Sequence, residues 1–527
     1  MKKFIKLLTL TMIFVLLLTG CSSDNGNDAV VPKDDSVDKV EEKIEPLEIN
    51  LAGGDWGYPS PYTHYSRGPG MFKMRLIFDS LLERGEKGLI PWLAESWDIS
   101  EDGKLYTFKI REGVKWQDGQ PMTAEDVKFS FEYYAEHPPV SDDLGISEDN
   151  YIEEIDVADE HTINIKVDAP NSTLLERFGT ARIIPKHIWE DVEDPIKFTD
   201  SEAVIGCGPY ILTDYNEEQG AYRFEAFKDY WGPKQRVDVI KFVPVSDELL
   251  AFENGEIDLT GVTPDVLPKY ENDPQYKIVE NPAFWGYKLA LNMEKRPELK
   301  DKALRQALVY AIDQEELVEK VARGAAKVAS PGYLPVEHVW YNSNVKQYDF
   351  DLDKAKELLN NKTYDFTLLT GDSNSELRIG ELIKISLEKA GINIEVKSVD
   401  SKSRDAAVKN GDYEIALNGY GGWGGDPDSL RIQYASGNKG TMFAGIPGYS
   451  NEKINELCEK QLSEIDEDKR KEIIFELQEE IAEEIPQIPL YNTTGHNVFR
   501  PEKYDGWKHV FNHHALTHNK ISYLEME

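Results

Sequence analysis

The chain has one long apolar run, Leu7 to Leu18, and everything after it lacks a comparable stretch. At this length the run is short for a bilayer span, which needs about 20 apolar residues. No later segment reaches roughly 18 uninterrupted apolar residues, so the rest of the chain has to bury its hydrophobic surface in its own core. Of the 527 residues, about 500 follow the run, more than one core organises, and two or three lobes are expected.

Lys2, Lys3 and Lys6 precede the run, and Leu18-Thr19-Gly20-Cys21 closes it. A positive flank, a short apolar stretch and small residues are the parts of an export signal. With the cysteine in place the segment resembles a bacterial lipoprotein signal, which implies cleavage after residue 20 and diacylation of Cys21. A cell-membrane, extracytoplasmic location follows from that resemblance. Residues 21–46 are mostly Ser, Asp, Asn, Lys and Glu, too poor in large apolar groups to offset the entropy of ordering, and are expected to be a flexible linker.

The formal charge is −37. Acidity of that size argues against nucleic acid or anionic lipid as a partner and reads as a solubility device. Beyond Cys21 only Cys207 and Cys458 remain. Two distant cysteines dictate neither a disulfide framework nor a metal site, and whether they pair is open.

Short strands and helices then alternate without a regular rhythm. Residues 47–51 and 105–110 alternate as strands, Trp116 to Pro121 is a turn, and Thr123 caps a helix running past Tyr134. Residues 302–323 read as helix with a second helical stretch opening at Asp313, and 352–359 as a short helix. Residues 366–370, 376–390 and 392–396 read as strand, helix, strand, a crossover that needs a parallel pair. Residues 452–484 read as one long acidic helix, and the last 35 or so as aromatic and strand-like.

Several ordered segments carry a resemblance. They are Pro91-Trp92-Leu93-Ala94-Glu95-Ser96-Trp97, Arg111-Glu112-Gly113-Val114-Lys115-Trp116-Gln117-Asp118-Gly119, Gly206-Cys207-Gly208-Pro209-Tyr210, Leu304-Arg305-Gln306-Ala307-Leu308, and Trp423-Gly424-Gly425-Asp426-Pro427-Asp428. In this order they resemble the extracellular solute-binding proteins of family 5, the oligopeptide, dipeptide and nickel-binding group serving ABC importers. The resemblance implies an α/β, two-lobed periplasmic-binding-protein type II (cluster C) fold with an extra subdomain in the first lobe. Lobe I would hold 47–285 and 490–527, with the insertion at about 80–200, and lobe II would hold 286–489. The chain would cross between lobes near Tyr287 to Asn292 and near Pro489 to Tyr491.

The resemblance further implies a binding protein, not an enzyme, with no catalytic residues and no cofactor. Its partners would be permease subunits and cytoplasmic ATPases, with the chain itself a monomer. Short peptides are the leading expected ligand, with a nickel or metal chelate or an oligosaccharide as alternatives.

Trp92, Trp97, Phe108 and Trp116 lie in strand and turn contexts that favour core over ligand contact. Pocket candidates come from three loops. In the first, Asp55, Trp56, Tyr58 and Tyr62 follow the opening strand and offer stacking faces. In the second, Gly206, Cys207 and Gly208 let backbone approach a ligand, although turn geometry explains those glycines equally well. In the third, Tyr420, Trp423, Asp426 and Asp428 offer an aromatic cover and carboxylate acceptors for an amine. Peptide-binding members place an aspartate four residues before the proline of this loop to hold the α-ammonium, and here that position is Trp423.

His64, His338, His496, His509, His513, His514 and His518 show no spacing that dictates a metal site. A secreted hydrolase using two carboxylates is the alternative of a different class. No nucleophile elbow, HExxH or phosphate-binding loop supports it.

Overall fold

The computed structural model describes residues 46–65, 68–146, 151–421, 425–437, 445–511 and 513–526. The expected signal and the linker up to residue 45, with Cys21, lie outside the described residues, as does Trp423. No described helix is long and apolar enough to cross a membrane.

Five hydrophobic clusters are found among the described residues, and the two largest organise the sheets. The first runs from Ile49 to Leu259 and resumes from Phe499 to Tyr523, and the second uses residues from Leu289 to Tyr491. Over the first lie four sheets. Strand Glu48–Ala52 pairs in parallel with Val239–Val243, which continues antiparallel to Ala221–Ala226 and then Tyr210–Asn216. Strand His496–Phe499 sits between Leu259–Val262 and Lys277–Glu280. Leu82–Arg84 and Leu89–Pro91 form a hairpin. The fourth sheet orders Ala94–Ile99, Leu105–Ile110, Thr162–Val167 and Ile152–Asp159. It is an antiparallel layer, packed by helix Ala124–Glu136.

That helix starts where its chemistry says it should. Thr123 accepts from the Glu125 N–H, and the Asp126 carboxylate accepts the Thr123 N–H at 2.9 Å, so donors at the free helix end are satisfied reciprocally. Trp92, Phe108 and Trp116 are buried in the first core and Trp97 packs against it.

The second core lies on one six-stranded sheet, in the order Ala326–Val328, Ile488–Thr493, Trp285–Leu291, Ile415–Gly421, Tyr364–Thr370, Ile392–Ser398. Tyr364–Thr370 and Ile392–Ser398 are parallel and joined by helix Asn374–Ala390, which ends at Gly391 with φ of 97°. This is the expected crossover.

The second helical stretch expected at Asp313 is present: residues 302–323 form two helices, Lys302–Tyr310 and Gln314–Lys320, because Asp313 accepts from the Glu316 N–H and caps a new start. Two sequence expectations change. Residues 452–484 likewise divide into Glu452–Ser463 and Glu467–Glu484, with Asp466 capping the second. After Phe499 the C-terminal segment is irregular, anchored by Tyr504 and Tyr523 in the first core.

The chain passes between the two groups of sheets at 281–284 and 494–495. Tyr287 to Leu291 and Pro489 to Tyr491 are paired strand within the six-stranded sheet. The two passages are bonded to each other, the Asn281 N–H donating to the Gly495 carbonyl at 2.7 Å.

Candidate functional site

The two lobes face each other across a gap whose walls come from both. One cavity of about 240 Å³ is lined by Arg84, Glu176 and Phe511 on one side and Gly425, Asp426 and Arg470 on the other. A neighbouring cavity of about 230 Å³ adds Arg177, Asp428 and Ile432. At one edge the lobes touch directly: the Ser172 N–H donates to the Leu462 carbonyl at 2.8 Å, and its hydroxyl to the Gln461 carbonyl at 3.0 Å.

Several charged groups in these walls are held in ion pairs. Arg84 Nη2 donates to Glu176 Oε1 at 2.7 Å. Arg470 grips both oxygens of Asp426, at 2.6 and 2.7 Å. Arg431 does the same to Asp428 at 2.7 Å, and Gln461 adds a bond of 2.7 Å to that carboxylate. Burial pushes the Asp426 carboxyl upward and Arg470 opposes the shift.

Behind Arg84 a buried network fixes the hairpin that carries it. Lys520 bonds Asp79 and reaches Glu83 at 2.9 Å, and Arg182 reaches Glu83 at 3.2 Å. Burial would raise the Glu83 carboxyl, but these cations outweigh it and hold it well below the usual range. The C-terminal segment is thereby tied to the first lobe.

The same segment places a histidine group near Arg84. Phe72 stacks on His513 and His518, with ring centroids 5.0 and 4.6 Å away. His513 Nε2 and His518 Nδ1 lie 3.2 Å apart, and His514 packs edge-on against His513. Burial first, then neighbouring positive groups, push His518 down to about 3 and His513 lower still. Both imidazoles are therefore neutral. Among the described residues no group of three or more His, Cys, Asp or Glu is arranged to hold a metal.

Of the residues singled out from sequence, Asp426 and Asp428 line the gap. Tyr420 is buried beside Tyr333 and Lys288. The loop at 55–62 lines neither cavity. Asp55 is exposed and accepts from Tyr215 at 3.0 Å, the Trp56 ring packs edge-on to Tyr65, and Tyr58 packs on Tyr215.

Two side chains point into the core instead of a pocket. Tyr62 is 4% exposed, donates to the His137 carbonyl at 2.7 Å and packs against Tyr133, Tyr134 and Trp189. Cys207 is fully buried, and burial pushes its thiol well above the ordinary value. Gly206 and Gly208 make room for the Ile77 carbonyl. A Cβ at either would sit 2.1 or 2.5 Å from that oxygen. Cys207 and Cys458 are both free.

Arg84, Glu176, Phe511 and Lys288 were not anticipated. The first three come together from distant segments with no local pattern. Lys288 does carry a signal, a lone charge inside the apolar strand Trp285–Leu291.

Comparison with known proteins agrees with this architecture. Residues 88–442 match the family described as bacterial extracellular solute-binding proteins, family 5 Middle. The chain is 27% identical over 453 residues to the dipeptide-binding protein of Escherichia coli strain K12, covering 79% of this chain and 83% of that one. It is 27% identical over 461 residues to heme-binding protein A of Haemophilus influenzae, covering 81% and 83%. The crystal structure of the ABC transporter substrate-binding protein CtaP from Listeria monocytogenes superposes with a TM-score of 0.75 at 28% identity, covering 86% of this chain and 94% of that one. The chain belongs to the bacterial extracellular solute-binding proteins of family 5, whose members are binding components of ABC importers and not enzymes.

Proposed function

We propose that this protein is a lipid-anchored receptor that captures short peptides between its two lobes and delivers them to a permease driven by cytoplasmic ATPases. The observation that carries the reading is a gap whose walls belong to separate cores, Tyr106 to one and Trp340 to another, with two short passages joining the two groups of sheets. Such a gap binds by closure, since both walls contact a ligand only in the closed state. Residues 281–284 and 494–495 act as the hinge, lobe I comprises the chain before and after them, and the layer at about 80–200 is the insertion.

Arg84, Glu176, Phe511, Asp426, Asp428 and Ile432 form the ligand-facing set, with Trp423 covering the ligand from the same loop as Asp426. Asp426 is already held by Arg470, so a peptide α-ammonium shares that carboxylate instead of owning it. Asp55, Trp56 and Tyr58 serve as the outer rim. Cys21 carries the lipid, two acyl chains being sufficient for stable anchoring where one is marginal.

A chelated metal is the second reading. Neutral His513 and His518 supply one or two nitrogens to an ion whose other positions a small chelator fills. Small-angle scattering of the full chain in detergent tests the receptor reading: a mixed tripeptide pool should reduce the radius of gyration without generating product. Release of amino acids, or an unchanged radius with every solute class, contradicts it.

A further inference from the structure

The lobes meet at one edge through a helix end that its own helix cannot satisfy. Helix Glu452–Ser463 leaves its last carbonyls without intrahelical donors, because no further turn follows to supply them. The Glu464 N–H takes the Lys460 carbonyl, and the Ser463 hydroxyl folds back to the Glu459 and Lys460 carbonyls at 3.2 Å. Gln461 and Leu462 receive their donors from the other lobe. Ser172 donates its hydroxyl to the Gln461 carbonyl at 3.0 Å and its N–H to the Leu462 carbonyl at 2.8 Å.

The loop that presents Ser172 is fixed from within the first lobe. Asn171 Oδ1 accepts both the N–H and the hydroxyl of Thr173, at 2.9 and 2.8 Å, and the Asn171 carbonyl accepts from the hydroxyl of buried Tyr106 at 3.2 Å. These bonds need nothing from the second lobe, so Ser172 is aimed before the lobes close. Beside it, Ile465 of the second lobe lies on Gly103 and Pro170: a Cβ at Gly103 would sit 2.9 Å from Pro170 Cβ and 3.2 Å from Ile465 Cγ2. Gly103, with φ of 68°, lies in the turn between Ala94–Ile99 and Leu105–Ile110, so this contact belongs to the antiparallel layer. Gln461 is fully buried, donates to Asp428 Oδ1 at 2.7 Å and accepts at 2.8 Å from Arg470, the partner of Asp426. The carbonyl that Ser172 caps therefore belongs to the residue that holds both gap carboxylates in place.

We propose that the antiparallel layer carries the closing latch of this receptor, with Ser172 as its positioning residue. Ser172 caps the end of helix Glu452–Ser463 across the gap while Ile465 seats on Gly103 and Pro170. When the lobes part, water replaces the serine at both carbonyls and wets the Ile465 side chain; closure removes that apolar surface and restores the cap. The latch favours the closed arrangement through contacts between the lobes themselves. The inference rests on the receptor reading and deepens it by naming what sets the balance between open and closed.

The test uses spin labels at Ile196→Cys and Ile385→Cys, both exposed and on different lobes, to read the interlobe distance in the full chain in detergent. Cys207 and Cys458 are buried and stay unlabelled. The labelled parent is compared with Ser172→Ala, Ser172→Thr and Ile465→Ser, with and without trialanine, the melting transition reporting folding. Ser172→Ala and Ile465→Ser should each lower the ratio of closed to open molecules about three-fold or more, the weight of roughly one hydrogen bond or one partly buried side chain. Ser172→Thr keeps the hydroxyl and should match the parent. Equal ratios in the parent and Ser172→Ala, or a loss in Ser172→Thr as large as in Ser172→Ala, overturn the latch. A parent distribution that trialanine leaves unmoved counts against peptide capture, while the comparison among the variants still decides the latch.

Discussion

Asp426 and Arg470 are locked in a two-pronged ion pair across the second lobe, Oδ2 lying 2.6 Å from Nη1 and Oδ1 2.7 Å from Nη2. Arg470 also bonds Gln461 Oε1 at 2.8 Å, so one guanidinium holds the gap-facing loop and two helices together. Arg470→Met leaves a mostly buried carboxylate unpaired and should cost about 3 kcal/mol of folding stability. Chemical denaturation measures this, and Asp426→Asn with Arg470 intact should cost less.

Gly206→Ala should abolish or severely impair folding. The added Cβ would sit 2.1 Å from the Ile77 carbonyl oxygen, a backbone atom that cannot turn aside. Soluble yield and circular dichroism of the variant check it, and normal folding would mean that this loop is slack.

Much of the fold was legible because local chemistry agreed with it. Thr123, Gly391 and the strand-like run of residues 366–370 mark ends and elements that the structure keeps. The helix break at Asp466 was harder to read, since apolar periodicity carries on across a cap that only a hydrogen bond reveals. The gap was legible only in part. Asp426 and Asp428 belong to one loop and stood out, whereas Arg84, Glu176 and Phe511 meet through tertiary packing that no local spacing encodes. Tyr62 misled for the opposite reason, an aromatic in a glycine-proline loop that turns inward to the core.

Lys73 and Lys288 should make stability rise with pH above neutrality. Burial lowers both from 10.5 to about 7. Between those values the unfolded chain holds protons that the folded chain has released, so this contribution grows as pH rises. Below about 7 both states are charged and the folded state bears the full cost of burial. Lys288→Met should therefore stabilise the ligand-free protein at pH 7, by about 1–2 kcal/mol, and flatten the slope from pH 7 to 10 in denaturant melts.

Acid should act through the histidine group. His518 falls from 6.5 to about 3 in the folded protein, so its contribution is complete above pH 6.5 and is lost as pH falls toward 3. His513 shifts the same way. His518→Phe should weaken the loss of stability between pH 6.5 and 4, followed by urea denaturation at each pH.

Cys21→Ser should release the protein from the membrane fraction to the medium while leaving ligand affinity unchanged. Fractionation and calorimetry on the released protein measure the two separately.

The central claim, a receptor that closes on short peptides, is tested most directly by identifying what the native protein carries. The full chain purified without denaturation should show, by native mass spectrometry, an added mass that denaturation releases as peptides of a few residues. Release of a metal chelate or a sugar instead, with no peptide bound, would contradict the claim.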